Sequence, residues 1–152
     1  MKKFLLLGAA LLTAGYVLAD TSLSAYGTYW EADSSGLGAG LRLKKTILGF
    51  GAVEARGGYV NFDNIETDMI PLDASINVRL PFMISPYAGV GAGYYFLDSD
   101  SGGIDDTSGV FAQIGVEATL IWFGALAEIR YYDLNENYFD GPTYNVGLLL
   151  KW

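Results

Sequence analysis

"PYAGVGAGYYF", Pro86 to Phe96, sets glycine at positions 89, 91 and 93 inside a run whose other residues are those of a β-strand. Glycine weakens a strand interior and marks a bend or a close approach to the backbone. Because successive side chains of a strand point to opposite sides, glycine at alternate positions empties one whole face. The opposite face carries Ala88, Val90, Ala92, Tyr94 and Phe96. This strand therefore has one apolar surface and one surface cleared for something large.

The same period of two recurs along the chain. Ile70, Leu72, Ala74, Ile76, Val78 and Leu80 alternate with Asp73, Ser75, Asn77 and Arg79. Val110, Ala112, Ile114, Val116, Ala118 and Leu120 alternate with Phe111, Gln113, Gly115, Glu117 and Thr119. Phe123, Ala125, Ala127, Ile129 and Tyr131 face away from Gly124, Leu126, Glu128, Arg130 and Tyr132, and Tyr144, Val146, Leu148, Leu150 and Trp152 from Asn145, Gly147, Leu149 and Lys151. Strands are expected at 22–32, 36–46, 49–62, 67–80, 84–97, 108–120, 123–134 and 142–152, with turn signals between them. Most are long enough to cross a bilayer when tilted. In the first strand Leu23, Ala25, Gly27 and Tyr29 are assigned to the apolar face in preference to Ser24, Tyr26, Thr28 and Trp30.

Two folds accept this pattern. A soluble lipocalin-like barrel would bury the apolar face, and a transmembrane barrel would turn it outward. The Gly-, Arg- and Glu-bearing face has too many glycines and too few lysines for a solvated exterior, and eight strands enclose a space only just wide enough for side chains. The expected fold is therefore all-β, an eight-stranded antiparallel up-and-down transmembrane β-barrel. It also reconciles 51% hydrophobic residues with the lack, after the first 19, of any apolar run long enough for a membrane helix. On this reading Gly89, Gly91 and Gly93 make room in the lumen for long side chains reaching across from other strands.

Residues 1–19, MKKFLLLGAALLTAGYVLA, have the basic, apolar and small-residue regions of a secretory signal peptide, which leaves 20–152 as one barrel domain. The chain carries a formal net charge of −8, or −10 without Lys2 and Lys3, which argues against nucleic acid as a partner.

The connections alternate in character. DSSG, DNIE, DSDSGGIDDTS and NENYFDG are polar and acidic, whereas KKTIL, LPFMIS and the join at Ile121–Trp122 are short. Longer loops on one rim and tight turns on the other are the habit of outer-membrane barrels. Asp33, Asp63, Glu66, Asp68, Asp98, Asp100, Asp105, Asp106, Asp133, Glu136 and Asp140 then gather at the loop rim without a lysine or arginine among them. Tyr29, Tyr59, Tyr94, Phe96 and Tyr131 are expected as one aromatic girdle, and Phe82, Trp122, Phe123 and Trp152 as the other. The stretch DSDSGGIDD lacks the ligand spacing of a calcium loop and is read as solvated.

"YNVGLLLKW" closes the chain on an aromatic residue, with Tyr144, Val146, Leu148 and Leu150 at alternate positions before Trp152. It resembles the C-terminal assembly signal of bacterial outer-membrane proteins. With the PYAGVGAGYYF strand, the leader and eight strands, residues 20–152 resemble the small barrels of the OmpA-like and OmpX-like porin superfamily. The resemblance implies a bacterial outer-membrane location, lipopolysaccharide and outer-membrane lipid as surroundings, and insertion by the barrel assembly machinery through those five residues. A monomer is expected.

Arg42, Glu54, Arg56, Glu117, Glu128 and Arg130 all fall on the face assigned to the lumen. Three charges of each sign can neutralise one another, and a paired network is expected because an unpartnered buried charge is strongly disfavoured. Relatives of the resembled type carry comparable lumen pairs. With no histidine or cysteine, His-assisted acyl transfer is excluded and a transition-metal site is not expected. No cofactor, metal or catalytic residue is assigned. The reading is a structural or surface-interaction barrel plugged by its Arg/Glu network, with a narrow porin-like channel as the alternative and a soluble ligand-binding barrel third.

Overall fold

The computed structural model describes residues 21–99, 106–135 and 139–152. The signal peptide assigned to 1–19, the acidic residues Asp100, Asp105 and Glu136, and most of the DSDSGGIDD stretch lie outside the described residues.

Eight strands follow one another: β1 Thr21–Trp30, β2 Gly36–Ile47, β3 Gly51–Phe62, β4 Thr67–Arg79, β5 Ile84–Ser99, β6 Thr107–Leu120, β7 Phe123–Leu134 and β8 Gly141–Lys151. Each pairs antiparallel with its neighbours in sequence, and β8 returns to β1, so the sheet closes with no free edge. The seam runs from Ser22–Lys151 to Trp30–Thr143. It is extended by reciprocal backbone bonds between Thr21 and Trp152 of 3.0 and 2.9 Å.

The register sets the tilt. A row entering at Ser22 passes through Lys44, Glu54, Ser75, Gly91, Phe111, Tyr132 and Gly141. It meets β1 again beside Ala32, ten residues from where it began. Closure with such a stagger requires strands inclined to the barrel axis. One row thus climbs from one rim to the other, and residues far apart in register come to share a level of the lumen.

The loops after β1, β3, β5 and β7 form one rim, the loop rim. The links after β2, β4 and β6 form the other, the turn rim. The KKTIL stretch is not a turn: Lys44–Ile47 continue β2, and the chain reverses at 48–50, where Leu48 and Gly49 have φ of 55° and 79°. Lys44 is thereby carried into the lumen. The two-residue link Ile121–Trp122 likewise reverses through Ile121 at φ 54°.

The outer wall is apolar along its whole girth. Leu41, Leu72, Ile76, Val90, Ile114, Leu148 and both aromatic girdles are exposed. Leu23 and Tyr29 of β1 point outward, and Trp30 points in. Inside lie arginines, glutamates, asparagines and tyrosines. This rules out the soluble lipocalin-like arrangement, which needs the charged face in water. A continuous apolar band of this extent on a water-soluble monomer would be an aggregation liability, whereas against lipid it is the ordinary exterior of a membrane barrel.

Candidate functional site

The lumen is the candidate site, and it has two zones. Nearest the loop rim is an aromatic plug. Trp30, Val60, Phe62, Met69, Tyr95, Phe111, Tyr132, Leu134 and Phe139 form one buried cluster. They are the inward residues that precede or follow the loops. Trp30 stacks on Tyr132 at 4.5 Å between ring centroids, and Phe62 meets Phe139 edge-on at 5.1 Å. Phe139 belongs to the loop between β7 and β8, and its carbonyl accepts a 3.0 Å bond from Trp30 Nε1. That bond ties the loop down into the mouth.

Below the plug, acids and bases alternate along the lumen. Asp73 Oδ1 accepts from Arg130 Nη1 at 2.9 Å, and Arg130 Nε donates to Glu128 Oε1 at 2.8 Å. Arg56 holds both Glu128 oxygens, at 2.8 and 2.6 Å, and its Nη2 donates to Glu54 Oε2 at 3.2 Å. Arg42 bridges onward, with Nη1 3.2 Å from Glu54 Oε2 and Nη2 2.5 Å from Glu117 Oε1. Lys44 pairs with the other oxygen of Glu117, and Arg79 Nη2 stands 3.9 Å from it. The order is acid, base, acid, base from plug to turn rim.

This order comes from strand geometry. Arg42 and Lys44, Glu54 and Arg56, and Glu128 and Arg130 are each separated by two residues, so each pair shares the inward face of its own strand. Strands on opposite sides of the barrel then supply the partners: β3 faces β7, and β2 faces β6. Arg56 on Glu128 is bidentate, the strong geometry for a guanidinium and a carboxylate. Neutral side chains take up the remaining lone pairs. Tyr87 OH donates to Glu128 at 2.6 Å, Asn145 donates to Glu128 at 3.2 Å, and Gln113, Ser75 and Asn77 all converge on Glu54 Oε1. Ser24 Oγ accepts from Arg42. Engaging the carboxylates in this way is what makes a buried ionic network tolerable, while Arg56 Nε, Arg130 Nη2 and Gln113 Oε1 are buried with no hydrogen-bond partner among the described residues.

The zones meet at Arg130. Its guanidinium lies 4.4 Å from the ring centroid of Phe111 and donates to Tyr132 OH at 3.0 Å. One residue therefore ends the ladder and supports the plug.

All six lumen charges read from the sequence, Arg42, Glu54, Arg56, Glu117, Glu128 and Arg130, are brought into this one network. The expected balance of three and three is incomplete, because Lys44, Asp73 and Arg79 also belong to the chain of ion pairs. Among the described residues the buried charges are then five bases and four acids. Asp73 and Arg79 were visible as inward residues of an alternating strand. Lys44 was hidden by the turn-like look of its neighbourhood.

The spaces beside Gly89, Gly91 and Gly93 are taken. A methyl group on Gly89 would collide with the Asn77 amide, one on Gly91 with the Phe111 ring, and one on Gly93 with Tyr95 and Asp73. The occupants come from the flanking strands β4 and β6 and from β5 itself, not from across the barrel, because inclined strands lean their side chains along the wall. Tyr144, Val146, Leu148 and Leu150 on β8 and Trp152 just after it form an exposed outward row.

No family model matches the chain, and no curated protein sequence does. Solved structures do match. Neisserial surface protein A (NspA) superposes with a TM-score of 0.70 at 15% identity, covering 88% of this chain and 96% of that one. The outer membrane protein OprG from Pseudomonas aeruginosa gives 0.67 at 15% identity, with 89% and 96% covered. The N-terminal β-barrel domain of Pseudomonas aeruginosa OprF gives 0.66 at 15% identity, with 89% and 98% covered. The chain has the fold of the small eight-stranded outer-membrane β-barrels.

Proposed function

We propose that this protein is a closed, non-conducting barrel of the bacterial outer membrane, a scaffold that holds acidic loops at the cell surface. The observation that carries the reading is the filling of the lumen by two successive zones of side chains. The aromatic plug, tied down by the Trp30–Phe139 bond, sits over an acid–base ladder in which every carboxylate is shared by at least one base. An ion crossing it would have to part several charge-assisted pairs in succession.

On this reading the loop rim faces the exterior and the turn rim the periplasm. Asp33, Asp63, Glu66, Asp68, Asp98, Asp106 and Asp140 then stand outside, among lipopolysaccharide and outer-membrane lipid. The outward row ending at Trp152 serves as the element handled by the barrel assembly machinery. Removal of a leader at Ala19 and a monomeric state belong to the same proposal, and catalysis forms no part of it.

The test is single-channel recording in a planar bilayer, with folding verified by a heat-dependent shift on an SDS gel. The folded wild-type barrel is expected to be silent. Discrete openings whose size changes in Arg56→Ala or Glu128→Gln would replace this reading with that of a narrow, charge-gated porin.

A further inference from the structure

The two rims end the apolar wall differently. On the outward face at the loop rim, carboxylates follow the aromatic girdle directly: Glu31 comes two residues after Tyr29, and Asp133 two after Tyr131. At the turn rim the apolar face runs on through the reversals themselves. Leu48 and Ile121 are each 82% exposed, Met83 69% and Trp122 68%, and Phe50 and Phe82 stand exposed beside them. Among the described residues no Asp or Glu faces outward at this rim, and the outward cation there is Lys45. Height places the tips of these turns. Ile70 on β4 and Leu80 just after it lie ten residues apart, as do Val110 and Leu120 on β6. At about 3.3 Å of rise per residue and a tilt of about 40°, that distance makes an apolar band ~25 Å tall, the full height that a barrel of this kind presents to hydrocarbon. The turns beyond Leu80 and Leu120 therefore begin where the hydrocarbon ends, at the level of the lipid headgroups.

We infer that the turn rim is a docking surface for anionic phospholipid: its three reversals lie in the headgroup layer, and Lys45 pairs with a headgroup phosphate. The apolar tips continue the lipid-facing wall, so what covers the wall covers them too. Tryptophan suits this layer, because an indole has an apolar body and a single N–H donor. The order of residues along the rim brings the donors together. Thr21 pairs with Lys45 on one side and exchanges backbone bonds with Trp152 on the other, and the Trp122 carbonyl accepts a 2.7 Å backbone bond from Lys151. Trp122, Trp152 and Lys45 thus follow one another around the ring, with Trp152 and Lys45 two strand spacings apart, ~10 Å. Ammonium and indole groups donate only, which matches phosphate oxygens. A zwitterionic headgroup would bring an ammonium of its own, for which this rim holds no outward Asp or Glu among the described residues. Lys45 is half-buried, as a lysine is whose stem covers apolar surface while its ammonium reaches the polar layer. The inference holds whichever way the barrel points and whether or not it conducts.

The chain has no cysteine, so a single introduced thiol takes a nitroxide label at one place. The first test labels Leu48→Cys, Met83→Cys and Ile121→Cys at the turn rim, and Asp33→Cys at the loop rim as reference. Each barrel is folded into vesicles of phosphatidylcholine and phosphatidylglycerol, and collisions with oxygen and with a water-soluble nickel chelate are read by electron paramagnetic resonance. The turn labels are expected to meet the chelate far less, and oxygen more, than the label at position 33. Chelate collisions equal to the reference would put the turns in water and overturn the inference. Protection from both reagents would show a protein cover, such as a second copy of the chain, and would overturn it too. The second test titrates the detergent-solubilised barrel with phosphatidylglycerol, read by native mass spectrometry. Lys45→Gln leaves every ladder residue in place and should raise the half-saturating concentration about fivefold, the factor for one lysine at an anionic surface. Binding of phosphatidylcholine should not change. A phosphatidylglycerol titration unaltered by Lys45→Gln would overturn the pairing.

Discussion

The two halves of this lumen fill similar space by opposite means. At the loop rim, Trp30, Phe62, Met69 and Phe139 pack as the interior of a soluble protein does. Toward the turn rim, five bases and four acids among the described residues fill the barrel, and apolar side chains are few: Leu126 and Leu149 are the buried aliphatic ones on β7 and β8 at that level. An apolar plug tolerates local change, because each residue loses only its own burial. An ionic ladder does not, because each of its inner members, from Arg130 to Glu117, pairs with at least two others. The plug should therefore fail gradually and the ladder all at once.

The largest effect is expected at the point where the ladder is most connected. Glu128 accepts from Arg56, Arg130, Tyr87 and Asn145. Glu128→Ala takes a carboxylate from two buried guanidinium groups, leaving Arg56 with Glu54 and Arg130 with Asp73, and should cost about 3–5 kcal/mol, read as the shift in urea midpoint of the barrel refolded into lipid vesicles. A loss below about 1 kcal/mol would mean that water reaches the ladder, and the contrast between the zones would fall.

Truncating the plug should cost somewhat less. Trp30→Ala leaves a hole between Tyr132, Phe62 and Tyr95 and should cost about 3 kcal/mol, with the barrel still folding and still showing its heat-dependent gel shift. Raising the salt concentration should leave that loss unchanged, since no charge is involved. A salt-dependent loss would show that the plug and ladder are not separate zones.

The smallest effect falls on the join between them. Tyr132→Phe removes the hydroxyl that accepts from Arg130 and keeps the ring on Trp30, so a loss of about 1 kcal/mol is expected in the same urea titration. A value near that of Trp30→Ala would make the tyrosine hydroxyl a structural hub and its ring incidental.

The ladder was far more legible in the sequence than the plug. Arg42, Glu54, Arg56, Glu117, Glu128 and Arg130 sit at even spacings on strands whose other face is apolar, and a period of two admits only one side for them. Which acid meets which base was not legible, since most partners lie on strands that are not neighbours and their levels depend on a stagger that closes only over the whole ring. Lys44 escaped because two adjacent lysines before Thr46 look like the start of a polar turn. The plug escaped for a different reason. Phe62, Tyr95 and Tyr132 are on the inward face, but a scan for membrane girdles looks for aromatics on the outward one. The available signal was positional: the inward residue turns aromatic in the last positions before a loop, at Trp30, Phe62, Tyr95 and Tyr132. Phe139, the residue by which a loop is drawn into the barrel, belongs to no periodic stretch at all.

The seam between β1 and β8 carries a consequence for how this ring is numbered. Thr21 and Trp152 exchange backbone hydrogen bonds, so the two strands farthest apart along the chain are neighbours in the ring. Topologically no strand is first. A short peptide joining the two ends, with the chain reopened in the exposed turn at 48–50, would yield a circular permutant with every strand pairing preserved. In that protein YNVGLLLKW would occupy an internal strand, and a different strand would be the last to leave the ribosome.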